Sequence, residues 1–368
     1  MKKSIIFILL TVLILGIFTA CNGDVLDDLL NGGSEPGPAP VEILYIDANT
    51  TTLTGGKTYT IAGDVPNAHR LSIDGTDPVT ILLPAGKTLT VQQGITVTEG
   101  QTLIIDEDGT KGTEIGTLIA GGYGTTPAKT AGIGGVNESG KKNAGTITIN
   151  GGIVYATGGT AAAGIGGGSS GVGGDISIEG GTVTAYGGEN AAGIGGGSSG
   201  AGGNVTIKRG TVKAYGGANE GTGGAAGAGI GGGDGGNGGT VTITGGTVTA
   251  KGGSGDMEGG DGSGAGAGIG GGKNGAGGTV TINGGNVTAQ GGDGSGVGIG
   301  GGHGSSSYGT LTIGENSTTP YTDGKLRIAS GWALYYGESS ASEFIGEGTY
   351  DSWSDYAKKY MNVTQPST

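Results

Sequence analysis

Along most of this chain apolar and polar residues alternate with a period of two, in runs of four or five residues broken by glycine. In Thr240-Val-Thr-Ile243 and Thr247-Val-Thr-Ala250, residues Val241, Ile243, Val248 and Ala250 share one face and the threonines share the other. That is the pattern of a strand with one buried side, and the three-to-four spacing of a helix is missing throughout this region. After each pair of strands comes one apolar residue set in glycine, as in Gly193-Ile-Gly-Gly-Gly197. Copies are centred on Ile133, Ile165, Ile194, Ile230, Ile269 and Ile299, at spacings of 32, 29, 36, 39 and 30 residues. A 29-residue unit with three short extended pieces fits one coil of a parallel β-helix, successive coils stacking ~4.8 Å apart. A coil such as Ile165 to Gly193 offers only Ile165, Ile176, Ile178, Val183 and Ala185 as sizeable inward residues. It cannot fold alone, so the apolar column must run from coil to coil and its ends need covers.

The pattern divides the chain. Alternating segments without the glycine corner (Tyr59-Thr-Ile61, Leu71-Ser-Ile73, Val79 to Leu83, Leu89-Thr-Val91, Ile95-Thr-Val97, Leu103-Ile-Ile105, Leu118-Ile119) make residues 42–120 the first coils, and 121–315 the glycine-cornered coils. Residues 316–368 change composition: Trp332, Tyr335, Tyr336, Phe344, Tyr350, Trp353, Tyr356 and Tyr360 follow coils that are almost free of aromatics. This segment reads as a small aromatic-rich C-terminal cap on an all-β solenoid.

The first 41 residues are of another kind. Met1-Lys2-Lys3, an apolar run from Ile5 to Phe18 and the small residues Thr19 and Ala20 form a secretion signal over 1–20. The run is too short for the ~20 residues of a permanent membrane span. Phe18-Thr19-Ala20-Cys21 resembles the bacterial lipobox, with phenylalanine where leucine is usual. The resemblance implies that the Cys21 sulfur receives diacylglycerol and that Cys21 becomes the mature N-terminus. Residues 21–41, with Asp24, Asp27, Asp28 and Gly32-Gly-Ser-Glu-Pro-Gly-Pro-Ala-Pro40, read as a flexible tether. Acids just after the lipid cysteine resemble the signal that carries lipoproteins of gut anaerobes to the outer face of the outer membrane. The expectation is an exported protein, anchored to the cell envelope by its lipid and exposed on the outer membrane.

Composition sharpens this picture. There are 95 glycines in 368 residues, but nine prolines and no glycine at every third position, which excludes collagen. Only 13% of residues are charged, arginine occurs at Arg70, Arg209 and Arg327 alone, and the net charge is −13. Nucleic acid is excluded as a partner because phosphate binding needs clustered cations. A single cysteine excludes an intrachain disulfide framework.

Candidate chemistry lies on the strands and in the insertions. The outward residue near the end of the second strand is Tyr186 in one coil and Tyr215 in the next, with Tyr155 two positions earlier in the coil before. Stacking brings these rings into a ladder that suits the apolar faces of sugars, with Arg209, Lys213, Thr182, Thr184 and Thr211 as hydrogen-bonding neighbours. Asp261 and Asp293 occupy identical Gly-Gly-Asp-Gly-Ser-Gly segments, with Asp256 and Glu258 nearby. Oxygens converging from stacked loops would suit calcium, although the toxin-type calcium repeat is not reproduced. Outward Thr-x-Thr pairs, as at Thr240/Thr242 and Thr279/Thr281, form a hydroxyl array interrupted by Asp175 and Asn204. No catalytic residue is assigned. Asp175 and Glu179 share a coil, but their counterparts Asn204/Lys208 and Thr240/Thr244 are not carboxylates, and His69 and His303 read as turn residues.

The lipobox, the Gly-Ile-Gly-Gly-Gly and Thr-Val-Thr-Ile-x-Gly-Gly-Thr-Val-Thr-Ala cadence, and the ending Leu334-Tyr-Tyr-Gly-Glu-Ser-Ser-Ala-Ser-Glu343 before Lys359-Tyr-Met-Asn-Val363 are similar to the glycine-rich right-handed parallel β-helix surface lipoproteins of anaerobic bacteria. The resemblance spans roughly residues 43–363. It implies a right-handed solenoid, consistent with the rule for parallel crossovers, and a non-catalytic binding or adhesion module recognising polysaccharide, a host glycan or a host surface. The alternatives are a polysaccharide-active lyase or glycosidase and a ligand-free spacer.

Overall fold

The alternation is realised as three parallel sheets wound into a right-handed β-helix. The computed structural model describes residues 42–313, except 110–113, 122–123, 125–126, 128, 139, 220–224, 256–263, 294–295 and 308, together with the strands Leu326–Ala329 and Val363–Thr364. One coil runs from a strand of the first sheet, such as Asn204–Ile207, through a strand of the second, Thr211–Tyr215, to a two-residue strand of the third, Ile230–Gly231. Among the described residues the sheets hold eleven, nine and nine strands, each strand hydrogen-bonded to its counterparts one coil away. Ile176 thus lies level with Val205 and Val241, and Val183 with Val212 and Val248.

The inward residues are those the period selects. Ile165, Ile176, Ile178, Val183 and Ala185 are all buried, in one hydrophobic cluster that runs from the first coil to Leu311. In the third sheet Leu71, Ile95, Ile133, Ile165, Ile194, Ile230, Ile269 and Ile299 stack in register as a single column. The glycine after each corner isoleucine is what permits this close stacking. Gly195 has φ +130°, and a Cβ there would lie 2.1 Å from the carbonyl oxygen of Gly231 in the next coil. Only glycine reaches that conformation cheaply and lets the two backbones approach.

Two features of the early coils depart from the expected pattern. Val65–Asn67 is a strand although it contains Pro66, because it is the terminal strand of the second sheet and proline is tolerated at an edge. Arg70 stands level with Gly94 and Gly132, where later coils have the glycine that precedes the corner isoleucine. Its guanidinium donates to the carbonyls of Gln93, Ile95 (3.3 Å) and Ala131 (2.9 Å) and to Thr96 Oγ1 (2.8 Å), tying three coils together. Burial lowers its pKa to about 10, so it remains a cation at neutral pH.

The segments expected to be a secretion signal (1–20) and a tether (21–41), with Cys21, lie outside the described residues. So does the capping segment, apart from the backbone of its two strands: Leu326–Ala329 adds to the second sheet beside Asn286–Gln290, and Val363–Thr364 adds to the first beside Thr310–Ile313.

Candidate functional site

The outer face of the second sheet is a grid, with coils ~4.8 Å apart and outward positions ~6.6 Å apart along each strand. Its rows are Ile153/Tyr155/Thr157, Thr182/Thr184/Tyr186, Thr211/Lys213/Tyr215, Thr247/Thr249/Lys251 and Asn286/Thr288/Gln290. Tyr186 and Tyr215 fall in one column and their rings stack, with centroids 5.0 Å apart and planes 11° from parallel. Tyr155 does not join them. The register sets it against Thr184 and puts Thr157 level with Tyr186, so the expected three-ring ladder is a pair of rings with a third ring one coil away and one column over.

Stacking changes what the tyrosines offer. Parallel rings in contact at ~3.6 Å with a 5.0 Å centroid separation must be slid past each other by about 3.5 Å. Each ring therefore covers part of its neighbour's face and leaves the rest open. Thr157 is level with Tyr186 on the side away from Tyr215, and Tyr186 remains 45% exposed while Tyr215 is half-buried. Tyr155, 43% exposed, stands one coil away level with Thr184, which is only 7% exposed. The result is an exposed aromatic step of two stacked rings and a flanking third.

The coil of Tyr215 is rich in cations. Between Thr146 and Ser307 the chain has five: Lys208, Arg209, Lys213, Lys251 and Lys273. Three belong to the coil of Tyr215, and Lys251 follows Tyr215 in its column. Lys208 Nζ is 2.9 Å from Glu179 Oε1, which also accepts from Ser177 Oγ at 2.7 Å; these contacts, Lys208 first, hold the Glu179 carboxyl below its ordinary pKa. Lys251 Nζ lies 3.6 Å from Asp293 Oδ2. Lys213 is exposed on the strand two residues before Tyr215, and Arg209 Nε donates to the carbonyl of Glu179 at 3.1 Å. Lys251 was missed from sequence; aligning the coils column by column would have placed it directly after the two tyrosines.

Of the acidic loop residues, Asp256, Glu258 and Asp261 lie outside the described residues. Asp293 is described, and its Oδ2 accepts from Ser254 Oγ at 2.9 Å beside Lys251, so a cation there would compete with the lysine. Among the described residues no three His, Cys, Asp or Glu side chains converge as a metal site would require. Asp175 and Glu179 are each engaged by the next coil: Asn204 Nδ2 donates to Asp175 Oδ1 at 2.7 Å, and Lys208 pairs with Glu179. His303 sits in a glycine corner above Lys273 and Asp234; the carboxyl of Asp234 is pushed up by burial, with Lys273 acting in the opposite sense.

A beta helix repeat family model matches residues 147–169, 176–198 and 280–303. No curated protein and no solved structure matches the chain. Each matched segment begins at the first inward residue of a first-sheet strand (Ile147, Ile176, Val280) and ends just past a glycine corner. The coils left unmatched between them carry the insertions that stretch the spacing to 36 and 39 residues. Repeat match, sheet topology and inner column agree on one architecture, and the chain is a parallel β-helix protein.

Proposed function

We propose that the protein is a lipid-anchored surface module, held to the outer membrane through Cys21 and the 21–41 tether, that binds carbohydrate without chemically altering it. The observation that carries this reading is the exposed step made by Tyr186, Tyr215 and Tyr155 on an otherwise threonine-rich sheet. An open aromatic face with hydroxyls and cations beside it suits a sugar ring, whose C–H face packs on the aromatic while its hydroxyls bond laterally. A solenoid keeps such rings at a fixed spacing without any ordering on binding, which lowers the entropic cost of association.

The test is retention of the full chain on immobilised polysaccharides, comparing wild type with Tyr186→Ala/Tyr215→Ala. Both rings point outward, so the variant keeps the inner column and should melt close to wild type. Loss of retention with an unchanged far-ultraviolet spectrum supports the reading; unchanged retention overturns it. Host-surface adhesion is tested on the same pair of proteins with cells in place of polysaccharide.

A further inference from the structure

Arg209 breaks a structural rule. The turn between first and second sheets is Gly-Gly in the neighbouring coils, and its first position is Gly151, Gly180, Gly245 and Gly284, but Arg209 in the coil of Tyr215. A Cβ on Gly180, Gly245 or Gly284 would meet a carbonyl oxygen of the preceding coil at 2.4, 2.4 and 2.6 Å. At the one coil where a side chain replaces glycine, its Nε donates to the equivalent carbonyl, that of Glu179. A crowded position is given to a long cation, two residues before the strand that carries Lys213 and Tyr215. Departures from a fold's own local rules concentrate at functional sites.

We propose that Arg209 and Lys213 make the tyrosine step specific for an acidic polysaccharide, one whose rings carry carboxylate or sulfate; this rests on the carbohydrate reading above. Lys208 and Lys251 have carboxylate partners, Glu179 and Asp293, whereas Lys213 projects from the same sheet face as Tyr215 with no ion pair among the described residues. Glu189 is the acid closest in sequence to Tyr186, and it lies beyond the strand end, on the side away from Arg209. At physiological salt the Debye length is ~8 Å, so carboxylates several coils away are largely screened; Glu179, one coil from Arg209, is already paired with Lys208. A sugar on the open ring face would place a ring substituent within reach of Lys213, whose Cα is ~6.6 Å from that of Tyr215 along the strand, while Arg209, about 20 Å from Tyr215 at the other end of the strand, offers a planar fork to an anionic group further along the same polymer.

The experiment uses the full chain at 0.15 M salt against dextran, dextran sulfate and polygalacturonate, with wild type, Arg209→Gln/Lys213→Gln, Lys213→Gln alone, Tyr186→Ala/Tyr215→Ala, and Lys141→Gln as a charge control at a distant exposed lysine. The expected result is tighter binding to a charged polymer than to dextran. The double cation variant loses roughly 10-fold on the charged polymer, the worth of two solvent-exposed ion pairs, and nothing on dextran. Lys141→Gln changes neither. Lys213→Gln, at an exposed site, shows part of the loss and guards against a folding defect at Arg209. Whether dextran sulfate or polygalacturonate shows the advantage separates sulfate from uronate recognition. Equal binding of neutral and charged polymers, or a charge preference that survives Arg209→Gln/Lys213→Gln, overturns the acidic specificity and leaves the carbohydrate reading standing if the tyrosine variant still loses binding. Failure of wild type to bind any of the polymers, or indifference to loss of the tyrosines, overturns both.

Discussion

Replacing Gly195 by alanine tests the physical basis of the solenoid more sharply than any core truncation. A Cβ at Gly195 would lie 2.1 Å from Gly231 O, against an ordinary contact of 3.4–4 Å, and the residue has φ +130°. Relief requires the two coils to part by about 1 Å or more, which carries hydrogen bonds such as Gly196 N–H to Gly231 O (2.8 Å) and Ile194 N–H to Gly229 O (3.0 Å) beyond the usual ~3.2 Å limit. With about 1–3 kcal/mol of backbone strain and about 1 kcal/mol for each of those bonds, the expected loss is about 3–5 kcal/mol. Two further glycines separate the contributions. Gly100 has φ +84° with nothing within 4 Å of its would-be Cβ, so Gly100→Ala should cost only about 1–2 kcal/mol of strain. Gly63 has neither a positive φ nor a neighbour, so Gly63→Ala should be neutral or stabilising by up to about 1 kcal/mol. Urea unfolding followed by far-ultraviolet circular dichroism ranks the three. Because stability in a solenoid is summed over neighbouring coils, Gly195→Ala should also split the transition into two. If Gly195→Ala unfolds no earlier than Gly100→Ala, close approach of stacked backbones is not what the corner glycine provides.

Three further outcomes are expected, two from the structure and one from the sequence. Glu179 is held below its ordinary pKa by Lys208 and Ser177, so its contribution is fully present above the ordinary value of 4.5 and is lost as pH falls through the lowered folded value; Glu179→Gln should lower the melting temperature slightly at pH 7 and match wild type in strong acid. Asp234 has the opposite sign: burial raises its pKa, so its ionisation opposes folding above the folded value. Asp234→Ser, which copies Ser169 and Ser198 at the same corner, should raise the melting temperature at pH 7, with the gain shrinking as pH falls through that value. Cys21→Ser should abolish incorporation of labelled fatty acid and release the protein from the envelope fraction; persistent labelling would place the lipid elsewhere.

The inner half of this protein was legible in the sequence because burial leaves a period: Ile176, Ile178, Val183 and Ala185 alternate with polar residues, and the corner isoleucine repeats at nearly fixed spacing. The strand at Val65–Asn67 was not legible, since Pro66 argues against a strand unless its edge position is known. The outer face was legible only in part. Coil alignment put Tyr186 and Tyr215 in one column and Tyr155 two positions off, but it says nothing of ring planes, and the offset stack that hides part of each face is a property of side-chain packing. The pairing of Lys251 with Asp293 joins residues 42 positions apart in sequence, and an insertion of irregular length separates them. Arg209 was visible as a basic neighbour, whereas its cost at a glycine position appears only when the carbonyls of the preceding coil are in place.

The central claim is that ligand is held on the second sheet at the tyrosine pair. Hydrogen–deuterium exchange of the full chain with and without polygalacturonate or dextran sulfate, whichever binds, reads this directly. Slower exchange confined to peptides covering Thr182–Tyr186 and Thr211–Tyr215, and absent in Tyr186→Ala/Tyr215→Ala, is the predicted result. Protection that maps instead to the outer face of the first sheet or to the 254–264 insertion, or that persists without the tyrosines, would contradict it.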